Sequence, residues 1–184
     1  MANTPVHRES RNAEEEVLHC DGKHRARFRM LFSGDRTATD SLTCGVATVG
    51  PNEPLPLHQH VHAEIYFGLA GRAHVTVDGA EFVLGRGDAL FIPGDVPHAV
   101  HAHKEAKLFF AFAADSYGDV HYVYFDDDRP GSSWRRGRLL ARNSPRGRQM
   151  TSRPLAAELR AASVIVSIKQ PCEVRRMGTN ECGP

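Results

Sequence analysis

The stretch HQHVHAEIY, residues 58–66, places three histidines, a glutamate and a tyrosine within nine positions. His58 and His60 are two apart, so on an extended chain both side chains reach one face. Glu64 and Tyr66 have the same spacing and share a face in their turn. Neutral imidazoles with one carboxylate make a mixed nitrogen–oxygen donor set, suited to Fe, Mn, Ni, Co or Zn and unsuited to the oxygen cage of calcium. A fourth donor must come from elsewhere. His98, in GDALFIPGDVPHAV, is the candidate, because it opens a strand after a proline–glycine turn.

Such a cluster keeps coordination positions open. It can hold a substrate carboxylate or carbonyl as a Lewis acid, or activate oxygen if the ion is iron. The chain has no dinucleotide-binding glycine pattern, no phosphate-binding loop and no serine nucleophile elbow, so a metal has to carry the chemistry. Tyr66 is the acid–base partner that the spacing offers. A phenol near pKa 10 is a weak base, and a cation beside it favours the phenolate. The plain alternative is an ordinary interior aromatic. The other histidines are weaker candidates. His62 reads as an exposed turn residue, and His74, His101 and His103 as surface residues, the last two having opposite parity to His98. His121 could reach a pocket wall from the last core strand.

The elements that must position these residues are strands. RARFRMLF (25–32) alternates apolar and basic side chains, LTCGVATV (42–49) is a second strand, and three prolines between Pro51 and Pro56 forbid a helix. From Leu57 to Asp126, short apolar runs are punctuated by Gly, Pro and Asp about every ten residues, which predicts an all-β sandwich or barrel. Val77-Asp78-Gly79 marks a tight hairpin. The expected organisation is a polar extension over 1–24, a barrel over 25–126, and a basic, partly disordered extension over 127–184. Within that last part, residues 155–162 suit two helical turns and SVIVSI a short strand.

Composition limits the partners. The 184 residues carry 23 Lys/Arg and 22 Asp/Glu, but unevenly. Residues 1–134 hold 12 basic and 19 acidic side chains; residues 135–184 hold 11 and 3. The basic part has no aromatic residue to stack a base, so nucleic acid is not the expected partner. No run approaches 18 apolar residues, and MANTPVHRESRNAEEE has no apolar signal core. Cys20, Cys44, Cys172 and Cys182 fit no zinc-finger spacing, so reduced thiols and a cytoplasmic location are expected.

Two motifs carry a family resemblance. H-x-H-x3-E-x6-G is met by His58, His60, Glu64 and Gly71, and G-x5-P followed by H is met by Gly87, Pro93 and His98. The chain resembles the cupin superfamily over about residues 42–114, and more loosely over 25–126. The usual glycine six positions before the first histidine is Asn52 here, and a frequent asparagine four beyond the last is Ala102. The resemblance implies an antiparallel jelly-roll barrel (a double-stranded β-helix) with one divalent ion on His58, His60, Glu64 and His98. Cupins often form a homodimer through edge strands, for which the apolar KLFFAFAAD is the expected contact.

The set His58, His60, Glu64, Tyr66 and His98 further resembles that of the small cupin dimethylsulfoniopropionate lyases. This implies a metal-dependent lyase on a small carboxylate, with Tyr66 as catalytic base. An iron-dependent dioxygenase and a non-enzymatic small-ligand sensor are the alternatives.

Overall fold

The computed structural model describes residues 4–20, 23–125 and 173–176. Twelve strands form among them: β1 (Glu15–Cys20), β2 (Lys23–Phe32), β3 (Thr43–Val49), β4 (Leu55–Gln59), β5 (Glu64–Ala70), β6 (Ala73–Val77), β7 (Ala80–Leu84), β8 (Ala89–Ile92), β9 (His98–His101), β10 (Ala106–Phe112), β11 (Val123–Tyr124) and β12 (Glu173–Arg176). They pair into a seven-stranded sheet, β12-β1-β2-β3-β10-β5-β8, and a five-stranded sheet, β11-β4-β9-β6-β7. The pairings given by register are antiparallel throughout.

The expected all-β class holds, as two stacked sheets. One core joins them: Phe28, Leu108, Phe110 and Phe112 from the larger sheet pack with Val75, Leu84 and Val100 from the smaller. Pairs of inward aromatics such as Phe28 and Phe110, edge to face at 6.4 Å, fill the layer between the sheets. The Asp-Gly hairpin forms as expected. Asp78 and Gly79 take φ of 46° and 79°, and Val77 faces Ala80 across the two-residue turn.

Two expectations need correction. KLFFAFAAD cannot supply an edge, because β10 lies inside the larger sheet between β3 and β5. Its apolar side chains Leu108, Phe110 and Phe112 are buried in the core. Residues 15–20, read as part of a polar extension, are a strand with Val17 and Leu18 buried. Beyond residue 127, Glu173–Arg176 is a strand as well and covers the outer edge of β1. The suggested helix at 155–162 and the strand SVIVSI lie outside the described residues. Among the described residues, no helix is long and apolar enough to cross a membrane.

One close approach ties the two halves of the chain together. The turn Pro93-Gly94-Asp95 sits on the loop after β4, where Asp95 N–H donates to His60 O at 2.8 Å. A Cβ on Gly94 would lie 2.0 Å from Val61 O, so only glycine allows this contact. Gly94→Ala must push the turn off the loop. The expected result is a loss of about 3 kcal/mol in denaturant unfolding, the upper part of the range for forced overpacking.

Candidate metal centre

β4 and β9 bring the histidines together. His58 is directly opposite His98 in their pairing, and the rings meet at 4.1 Å between centroids. His60 follows β4, with its ring 5.7 Å from that of His58 and 5.0 Å from that of His98. Glu64 opens β5 from the facing sheet. All four are buried, with His58 and His98 fully so. They offer one ligand atom each, and these atoms lie within 4.8 Å of one another.

Hydrogen bonds set the tautomer of each ring. Nδ1 of His58, His60 and His98 lies 2.7, 2.7 and 2.8 Å from the backbone oxygens of Pro56, His62 and Val96. A carbonyl only accepts, so each Nδ1 carries the hydrogen and each neutral ring presents a bare Nε2. Nε2 of His60 and of His98 then face Glu64 Oε2 at 3.3 and 3.2 Å. Lone pairs opposed at that distance repel unless a cation lies between them. Nε2 of His58 and of His98 are buried without a hydrogen-bond partner. Burial, with the imidazoles of His98 and His60, pushes the His58 pKa well below its usual 6.5, so its Nε2 stays a bare acceptor. The donor set fits a divalent transition ion, with backbone carbonyls orienting each imidazole from behind.

Tyr66 is two residues beyond Glu64 on the inward face of β5, and its buried hydroxyl has no hydrogen-bond partner. Burial raises its pKa well above 10, and the Glu64 carboxylate adds to the rise. The same pocket gathers Tyr117, Tyr122 and Tyr124, so all four tyrosines of the chain line it beside Glu64. The Tyr122 ring lies 5.1 Å from that of His58 and 5.4 Å from that of His60, and stacks on Tyr124 at 12°. Burial lifts these phenols also, Tyr117 to about 12.

Sequence reasoning missed this wall, although the alternation in HYVYF carries its signal. Tyr124 pairs with His58 through β11, which turns Tyr122 and Tyr124 towards the pocket and leaves His121 exposed. His62 is half-buried in its turn and supplies the carbonyl that fixes His60. His101 and His103 point outwards, as their parity requires. Among the described residues, Cys44 is a free, buried thiol.

Residues 45–112 match the family described as a cupin domain. Over 99 residues the chain is 37% identical to dimethylsulfoniopropionate lyase DddW of Ruegeria pomeroyi, covering 53% of this chain and 65% of that one. It is 37% identical over 77 residues to dimethylsulfoniopropionate lyase DddQ of the same organism, covering 41% and 38%. The chain thus spans less than two thirds of either relative. The polyketide cyclase RemF of Streptomyces resistomycificus shares the fold, with a TM-score of 0.57 at 19% identity over 68% of this chain and 89% of that one.

The depressed His58 pKa has a consequence for the metal-free protein. An unfolded histidine takes a proton near pH 6.5, whereas folded His58 resists it until well below that. Its contribution to stability is therefore intact above pH 6.5 and is lost as pH falls towards the depressed folded value. Thermal melts of chelator-treated protein between about pH 7.5 and 5.5, the range of about one unit on either side of that pKa, should show a falling midpoint. His58→Gln, which does not titrate, should flatten the slope.

Proposed function

We propose that the protein is a metal-dependent lyase acting on a small carboxylate such as dimethylsulfoniopropionate, by proton abstraction and elimination. The observation that carries this reading is the buried cluster of bare Nε2 atoms and one carboxylate next to an unpartnered tyrosine hydroxyl. The 37% identity to two proteins named as lyases of that substrate supports the choice of reaction.

His58, His60, Glu64 and His98 would hold the ion, one of Fe, Mn, Ni, Co or Zn. When bound, a divalent ion supplies a Lewis acid for the substrate carboxylate and reverses the sign of the charge that Glu64 presents to Tyr66. The chain's own residues do the remaining work. With the ion bound, Tyr66 would first lose its phenolic proton to solvent, and its phenolate Oη then takes the proton from the carbon next to the carboxylate. The electrons of that C–H bond form the carbon–carbon double bond. The bond from the next carbon to sulfur breaks with its pair on sulfur, releasing dimethyl sulfide and leaving acrylate.

The aromatic wall matches the other end of such a substrate. Rings of Tyr117, Tyr122, Tyr124 and Phe28 surround the pocket, and a sulfonium against aromatic faces gains about 0.5–2 kcal/mol. Their raised pKa values keep the three phenols neutral, so they act as ring faces and hydrogen-bond partners.

In the same reading the two sheets close as a cupin barrel around the site. A second copy of the chain covers the exposed strip Ile65, Phe67 and Phe91 on β5 and β8, in place of contact through β10.

The test is turnover of dimethylsulfoniopropionate by metal-loaded protein, with and without oxygen. The expected result is equal release of dimethyl sulfide in both, and a fall of about 10²- to 10⁴-fold in Tyr66→Phe. Light scattering on the same preparation should give twice the 20.3 kDa of one chain. Oxygen-coupled turnover of another carboxylate, with the sulfonium untouched, would replace the lyase reading by the dioxygenase one.

A further inference from the structure

A second group of imidazoles lies on the outer face of the five-stranded sheet. His74 of β6 is directly opposite His101 of β9, and His103 follows two residues later. Their ring centroids are 4.9 Å apart for His74 and His101, 4.9 Å for His74 and His103, and 5.7 Å for His101 and His103. The buried triad has 4.1, 5.0 and 5.7 Å. Three imidazoles on one tetrahedral zinc, at about 2.0–2.1 Å per nitrogen, have centroids about 5 Å apart.

We propose that His74, His101 and His103 form a second metal site, distinct from the buried one, for a divalent ion that prefers imidazole: Zn²⁺, Cu²⁺ or Ni²⁺. Solvent completes the shell. Core packing gives no reason for the three to assemble, since His101 and His103 are exposed and His74 is half-buried. The inner face of the same strands carries Val75 and Val100, which pair with each other and are fully buried, so an apolar layer backs the outer cluster.

His74 and His101 stack at 17°, and their nitrogens converge only after the rings turn. Exposed His101 can change rotamer in picoseconds to nanoseconds, so its turning is fast. The environment also keeps a ligand available. Partial burial and the neighbouring imidazoles of His74 and His103 lower the proton affinity of His101, while Glu81 on β7 adds a negative charge beside it.

The experiment uses the full chain without a histidine tag, stripped of metal and dialysed to equilibrium against micromolar Zn²⁺. Bound zinc is then counted by elemental analysis. The variant His74→Ala/His101→Ala/His103→Ala should hold one zinc fewer per chain than the wild type. That difference does not depend on whether the buried site is loaded, so failure here is separable from failure of the lyase reading. His101→Gln/His103→Gln, confined to the two exposed positions, provides the same comparison if the triple variant folds poorly. Equal zinc content in the wild type and a folded variant overturns the proposal.

Discussion

Three backbone carbonyls, those of Pro56, His62 and Val96, each hold the Nδ1 hydrogen of a buried histidine, and the site depends on that arrangement. A buried imidazole with a free choice of tautomer would turn its N–H towards Glu64 and close the cluster as a neutral hydrogen-bonded pair. With the hydrogen held at the back, bare nitrogens face a carboxylate inside the protein. That is costly for the protein alone and favourable around a cation. The buried hydroxyl of Tyr66, like Nε2 of His58 and of His98, has no geometric hydrogen-bond partner.

The rest of the fold follows from holding those carbonyls in place. His58 and His98 are opposed because β4 pairs with β9, and His60 is fixed because the Gly94 turn rests on its loop. On β5, Glu64 and Tyr66 take the inward face while Ile65, Phe67 and Leu69 are left partly in water. Hydrophobicity alone would bury the opposite set. A shift of one residue would do so and remove both functional groups from the pocket, so the register here is set against the apolar pattern. The exposed apolar strip on this face is the other side of that choice.

Much of the site was legible because it depends on short-range parity. His58 with His60, Glu64 with Tyr66, and His98 against His101 are all decided by period-two alternation and two turns. The tyrosine wall was only half legible: the alternation in HYVYF puts Tyr122 and Tyr124 on one face, but which face is set by a two-residue strand paired with β4, some 65 positions earlier in the chain. β1 was illegible for another reason. Glu16, Val17 and Leu18 are all buried in succession, Glu16 being paired with Arg36, so neither alternation nor an apolar run marks the strand. β12 is four residues, EVRR, whose place is set by its partner β1.

The central claim is that His58, His60 and His98 present Nε2, with Glu64, to one transition ion. X-ray absorption at the metal edge of protein purified without chelator, or reconstituted after stripping, tests it most directly. Because an outer histidine site would compete for metal, the measurement belongs in the variant lacking His74, His101 and His103. The account predicts a first shell of nitrogen and oxygen at about 2.0–2.2 Å, with the outer-ring scattering of three imidazoles. Protein that holds no metal after reconstitution, or a shell containing sulfur, would contradict it.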